Sequence, residues 1–197
     1  MTAISKEYSF DLGRAGRAAI AAVCAAACAC GALFCHDLAA GLLWCALVLE
    51  AATWSACDAR ARLLPTPLTV AFALTAAAWQ LLVGGPACLA WAAVVGGGVA
   101  VGFGALSAVF ALLGKPAVFG AGDLKLVGPC GLAVGVGGFA PAALSFTVIT
   151  VAWFAAMAAR RELSMSTSLP FGPFLAAFAL TGAGFAAWSA GGAWLFW

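Results

Sequence analysis

Two carboxylates are the groups in this chain best placed to do chemistry: Asp58, in the string DARARLLPTPL, and Asp123, in FGAGDLKL. Only seven of the 197 residues are acidic and 65% are apolar, so a carboxylate beside an apolar run needs a physical reason. Even the mildest insertion scale sets the cost of a charge at the centre of a membrane helix at roughly 2.5–3.5 kcal/mol. Two carboxylates held close cannot both ionise cheaply, so one keeps a proton near neutral pH while the other stays charged. That division of labour is what an aspartyl protease needs. One group takes a proton from a water attacking the peptide carbonyl, and the other donates a proton to the oxyanion and the leaving group. A single aspartate of this kind reads as an ordinary interfacial charge at a helix end. Two in matched positions, each in a distinctive string, read as a pair.

The residues around them fit this chemistry. Gly120 and Gly122 precede Asp123 and allow backbone geometry and close substrate approach that a side chain would obstruct. Lys125 is placed to fix the loop or to tune the ionisation of the aspartate. Pro65 and Pro67 stop helix propagation after Asp58 and start the next span. Glu50, two helical turns before Asp58, reads as a structural protonated carboxyl facing the bundle interior, with a pairing to Gln80 or a proton path as alternatives. His36 and Asp37 read as solvated loop residues.

Other chemistries find little support. The formal charge is +2, and no basic run or glycine-rich phosphate loop is present, which argues against nucleic acid as a partner. The eight cysteines and single histidine contain no C-x-x-C pair, so no zinc site or disulfide framework is expected and the cysteines read as small packing residues.

The elements that must position Asp58 and Asp123 are membrane helices. The composition predicts an all-α, polytopic helical bundle forming one membrane-embedded domain over residues 1–197, with 1–17 as a cytoplasmic interfacial segment. Apolar runs place seven spans near 18–35, 38–57, 68–83, 87–113, 124–139, 141–158 and 171–196. A six-span alternative merges the fifth and sixth, but Gly137, Gly138 and Pro141 interrupt that run and predict a tight hairpin. With a cytoplasmic N-terminus, seven spans put all nine basic residues on one side, as the positive-inside rule favours. Asp58 at the end of span two and Asp123 at the start of span five then share one membrane depth. A cleavable signal peptide is the lesser reading of the first span. Gly98 with Gly102, and Gly131 with Gly135, have the small-xxx-small spacing of closely packed membrane helices. Trp194 and Trp197 read as interfacial anchors, whereas Trp44, Trp54, Trp79, Trp91 and Trp153 fit either core or lipid-facing positions.

The strings together resemble the type IV prepilin peptidases and the related archaeal preflagellin peptidases, membrane aspartyl proteases of the GxGD type. Residues Gly120 to Lys125 match GxGDxK. Asp58 with Leu64 and Pro65 resembles the first catalytic aspartate and its downstream Leu/Ile-Pro pair, and LPFGPFLAAFAL resembles the start of the final helix. The resemblance covers roughly residues 38–185. It implies that Asp58 and Asp123 are catalytic and that no metal or cofactor is used. It also implies that the substrates are prepilin or pseudopilin precursors, whose short basic leaders are removed at the cytoplasmic face of the cell membrane. Thr66 departs from the Asn or Asp that often follows the proline. The cytoplasmic insertion with two C-x-x-C pairs carried by larger bacterial members has no counterpart here, so the compact peptidase-only form is expected, without methyltransferase activity. The competing readings are a GxGD protease for other membrane peptides, a small transporter using Asp58, Asp123 and Glu50, and a non-enzymatic scaffold for pilus assembly.

Overall fold

A computed structural model of the chain describes residues 21, 22, 25, 29, 37–61, 64–114, 119–161 and 171–189. The expected first span, the interfacial segment 1–17, His36, Lys115 and the C-terminal Trp194 and Trp197 lie outside or almost wholly outside these residues. The described chain is helical: α1 (Leu38–Ala61), α2 (Thr66–Leu112), α3 (Ala121–Val134), α4 (Phe139–Ala159) and α5 (Phe171–Ser189). Four of these, α1, α2, α4 and α5, are long and apolar enough to cross a membrane.

Local chemistry sets the helix ends. Asp37 caps α1: its Oδ1 accepts the Ala39 N–H at 3.0 Å and its carbonyl accepts the Gly41 N–H, so the expected loop residue is a helix cap. Pro65 is the extended N-cap of α2 and Pro67 lies in its first turn, where a missing N–H costs nothing.

Helix α2 is nominally continuous over 47 residues but breaks at Gly84 and Gly85, where Gly85 takes φ +69°. The break is a reversal. Leu132 of α3 accepts a hydrogen bond from Gln80 through its carbonyl, and its backbone N–H lies against Gly96. In an unbroken helix, residues 80 and 96 would be about 24 Å apart along the axis, so one residue could not touch both. Segments 66–83 (α2a) and 86–112 (α2b) are therefore antiparallel, in line with two separate runs in the sequence.

A second break falls at Gly135–Gly138, in the region where the sequence predicts a hairpin. Gly135 takes φ +62° at the end of α3, a left-handed conformation that favours glycine. Beyond it α4 runs back along α5, with the Ser145 Oγ donating to Ala177, Phe139 meeting Phe178 and Trp153 meeting Phe174. Across α1 and α2a, Thr75 meets Glu50 and Trp54 packs on Phe72. Trp44 and Trp79 pack with ring centroids 5.6 Å apart and planes tilted by 44°, and the Trp79 indole N–H donates to the Ala183 carbonyl of α5. These contacts define an up-and-down bundle in which α1, α2b and α4 run one way and α2a, α3 and α5 the other. Trp44, Trp54 and Trp79 are thereby core or core-flanking residues, whereas Trp91 is 64% exposed on α2b.

The glycine stripes correct one expectation. Among the described residues nothing lies within 4 Å of a Cβ on Gly98 or Gly102, and the close approach of α2b to α3 is made instead by Gly96. A Cβ on Gly96 would lie 2.7 Å from the Gly128 carbonyl, and one on Gly131 would lie 2.9 Å from Gly96 Cα. Spacing alone does not say which side of a uniformly apolar helix meets its neighbour.

Candidate active site

Asp58, in the last turns of α1, and Asp123, in the first turn of α3, come to the same end of the bundle although 65 positions separate them. The loop before α3 abuts the connection after α1, since a Cβ on Gly122 would lie 3.1 Å from Leu64 Cβ. Phe119, just before the Gly120 turn, packs on Phe171, just before Gly172, at 5.4 Å.

Asp58 is buried, with 6% of its surface exposed. Its Oδ2 accepts the backbone N–H of Gly172, in the first turn of α5, at 2.6 Å. Asp123 is half-buried at the third helical position of α3, and its Oδ2 accepts the N–H of Gly120, the N-cap residue, at 3.1 Å. This is the return half of a capping box, because a glycine N-cap has no side chain to complete it. Burial pushes the Asp123 carboxyl above the ordinary carboxylate range, the negative charge of Asp58 pushes it further, and the Gly120 N–H partly opposes both. The two carboxylates are therefore within electrostatic reach of each other.

The role of the glycines is narrower than expected. Gly120 has φ −66°, a conformation open to any residue, so its contribution is room: a Cβ there would lie 3.1 Å from Asp123 Oδ2. Lys125 is exposed two residues beyond Asp123, and what shifts Asp123 is its burial, then Asp58, with the Gly120 N–H in opposition. Pro65 is exposed at the start of α2, where its carbonyl accepts the N–H groups of Leu68 and Thr69. It starts α2 after the connection that follows Asp58.

An aromatic cluster backs the site. Phe103 of α2b, Phe119, Phe146 of α4 and Phe171 form a chain of ring contacts with centroids 4.9–6.0 Å apart, which keeps the start of α5 dry and fixed. An apolar cavity of about 200 Å³, lined by Val99, Phe103, Phe139, Phe146 and Phe178, opens beside it. A larger cavity of about 440 Å³, lined by Gln80, Cys88, Trp91 and Gly135, belongs to the other end of the bundle.

Glu50 is not part of this arrangement. Its Oε1 accepts the Thr75 hydroxyl at 3.1 Å, while the amide of Gln80 is used elsewhere: its Nε2 donates to the carbonyls of Leu132 and Ala133 at 3.0 and 2.7 Å, and its Oε1 accepts from Cys88. The expected alternative of a Glu50–Gln80 pair is replaced by a cap on the last turn of α3, whose terminal carbonyls lack partners within their own helix. Cys57, Cys88 and Cys130 are free thiols, and no cluster of metal-ligating side chains occurs among the described residues.

Sequence reasoning did not single out Gly172. It sits inside LPFGPFLAAFAL, a string noted only as a helix start, and the available signal was a glycine between an aromatic residue and Pro173 at a helix N-terminus. No family model, no curated protein and no solved structure matches the chain.

Proposed function

We propose that the chain is a multi-pass aspartyl endopeptidase of the cytoplasmic membrane that removes the short leader from prepilin or pseudopilin precursors. The observation that carries this reading is the convergence of the segments bearing Asp58 and Asp123 at one end of an apolar bundle. The GxGDxK and final-helix strings point to the same family. The proposed topology has about seven spans and a cytoplasmic N-terminus, which sets both aspartates at the cytoplasmic face.

In this reading Asp123 holds the proton of the pair, because burial and the neighbouring charge both favour its neutral form. Asp58 acts as the base. It takes a proton from a water whose oxygen bonds to the scissile carbonyl carbon, while Asp123 gives its proton to the developing oxyanion. Collapse of the tetrahedral intermediate breaks the C–N bond as Asp58 passes the proton it took from water to the leaving amine, and the diol hydroxyl returns its proton to Asp123, which restores the pair. Gly120 leaves room for the Asp123 carboxylate and Gly122 leaves room for Leu64, so the aspartate sits against backbone without side chains in the way. Pro65 starts the helix that follows Asp58, and the basic leader stays in water while the apolar segment of the precursor rests in the bilayer.

The test is co-expression with a tagged prepilin, comparing the wild type with Asp58→Asn and Asp123→Asn at equal membrane abundance. Leader removal by the wild type alone is the expected result. Persistence of cleavage in either variant refutes the paired-aspartate assignment.

A further inference from the structure

The contact between Asp58 and the start of α5 joins two segments 114 positions apart, and it is close in two independent ways. The Gly172 N–H donates to Asp58 Oδ2 at 2.6 Å in a buried setting. The space next to Gly172 is also filled by that side chain: a Cβ on Gly172 would lie 2.7 Å from Asp58 Cβ, 2.9 Å from Oδ2 and 3.2 Å from Cγ. Gly172 does not adopt a left-handed φ, so its backbone would accept any residue. Glycine is needed there for room alone. Pro173 has no N–H to offer, and Phe171 is wedged among Phe103, Phe119 and Phe146, so the first turn of α5 cannot drift away from α1 without dismantling the aromatic cluster.

We propose that Gly172 is a positioning residue for the aspartate pair: its N–H holds Asp58 Oδ2, and its missing side chain leaves the volume in which the Asp58 carboxylate faces Asp123. This inference rests on the peptidase reading for its effect on turnover, but not for its effect on the two carboxylates. First-turn amides of a helix have no partner within the helix and are free to bind a carboxylate. Here one of them orients a side chain of another helix.

The magnitude follows from the contact. A methyl group at 2.7 Å is 0.7 Å inside the 3.4 Å at which ordinary Cβ contact begins, and the Asp58 side chain must move by about that much. Misplacing a catalytic group by about 1 Å can cost on the order of 100-fold.

The experiment compares Gly172→Ala with Gly182→Ala in the full chain in lipid nanodiscs. Gly182 is on the same helix, but its Cβ would collide with Val134, at 2.5 Å, rather than with the aspartates. With a tagged prepilin as substrate, Gly172→Ala is expected to lower kcat by tens-fold to about 100-fold with KM little changed, whereas Gly182→Ala loses stability but keeps kcat per folded molecule. Carbon-13 NMR of labelled aspartates gives a readout free of turnover: the Asp123 titration midpoint moves in Gly172→Ala and stays in place in Gly182→Ala. An unmoved midpoint in Gly172→Ala, or equal kcat losses in both variants, overturns the proposal. A moved midpoint with no prepilin cleavage by the wild type keeps the positioning role and rejects the peptidase reading. If Gly172→Ala does not accumulate, the double variant Asp58→Gly with Gly172→Ala, which removes the Cβ collision, is expected to restore folding. Failure of that rescue shows that Asp58 is not what Gly172 accommodates, and the proposal falls.

Discussion

Replacing Gly96 by alanine tests whether the packing of α2b on α3 depends on one glycine rather than on a general richness in small residues. The new methyl carbon would lie 2.7 Å from the Gly128 carbonyl oxygen, 3.0 Å from the Leu132 nitrogen and 3.3 Å from Leu132 Cβ. Two of the three obstacles are backbone, so no side-chain rotation relieves them and the helices must separate by about 0.7 Å, the shortfall from 3.4 Å. Overpacking of this kind costs about 1–3 kcal/mol, offset by up to about 1 kcal/mol from replacing a helical glycine. The balance is a net loss of up to about 3 kcal/mol, and at its middle, about 1.5 kcal/mol, Tm falls by roughly 3–6 °C for a protein of this size. Gly98→Ala and Gly102→Ala, which meet nothing within 4 Å, leave Tm unchanged or raise it. Gly96→Ala combined with Gly131→Ala costs less than the sum of the two, because either methyl already separates the same helices. The assay is thermal unfolding in detergent followed by tryptophan fluorescence. A Tm loss in Gly98→Ala equal to that in Gly96→Ala refutes the assignment of the contact face.

The raised Asp123 carboxyl carries a signed pH dependence. Its folded value lies above the ordinary one, so its contribution to stability is full below the unfolded carboxylate pKa and is lost as pH rises through the folded value. Tm measured against pH should show this loss in the wild type, a smaller one in Asp58→Asn, which removes one cause of the shift, and none from this group in Asp123→Asn; identical profiles for the wild type and Asp58→Asn would contradict the coupling. Gln80→Leu removes the donor that caps the last turn of α3 and strands two buried carbonyls, at a cost of about 1–3 kcal/mol. Proteolysis or hydrogen exchange should then increase around residues 131–138, and an unaltered pattern there would show that the cap is dispensable.

The pair itself was legible in the sequence because carboxylates are scarce in an apolar chain and each lies at the edge of a run. The two chain reversals were legible for a similar reason, since glycine and proline interrupt otherwise continuous hydrophobicity at Gly84–Pro86 and Gly137–Pro141. Helix faces were not. Where nearly every position is apolar, neither side of a helix is marked as inner, so Gly98 looked as good a packing residue as Gly96. A Glu50–Gln80 pair is one alternative the sequence offers, since both are rare polar residues in membrane helices, yet the stronger demand on Gln80 comes from the unsatisfied carbonyls at the end of α3.

From sequence alone come the helical class, the approximate runs and the two aspartates, because each depends on residue type and local order. Tertiary structure alone decides that α1, α3 and α5 meet at one end and that burial, together with the neighbouring Asp58, raises the carboxyl of Asp123. It also decides that Gly172 must lack a side chain where Asp58 lies. Those facts depend on which surfaces touch, and touching is set by backbone clearance and by the partners that buried polar atoms require, neither of which is written in the order of residues along one chain.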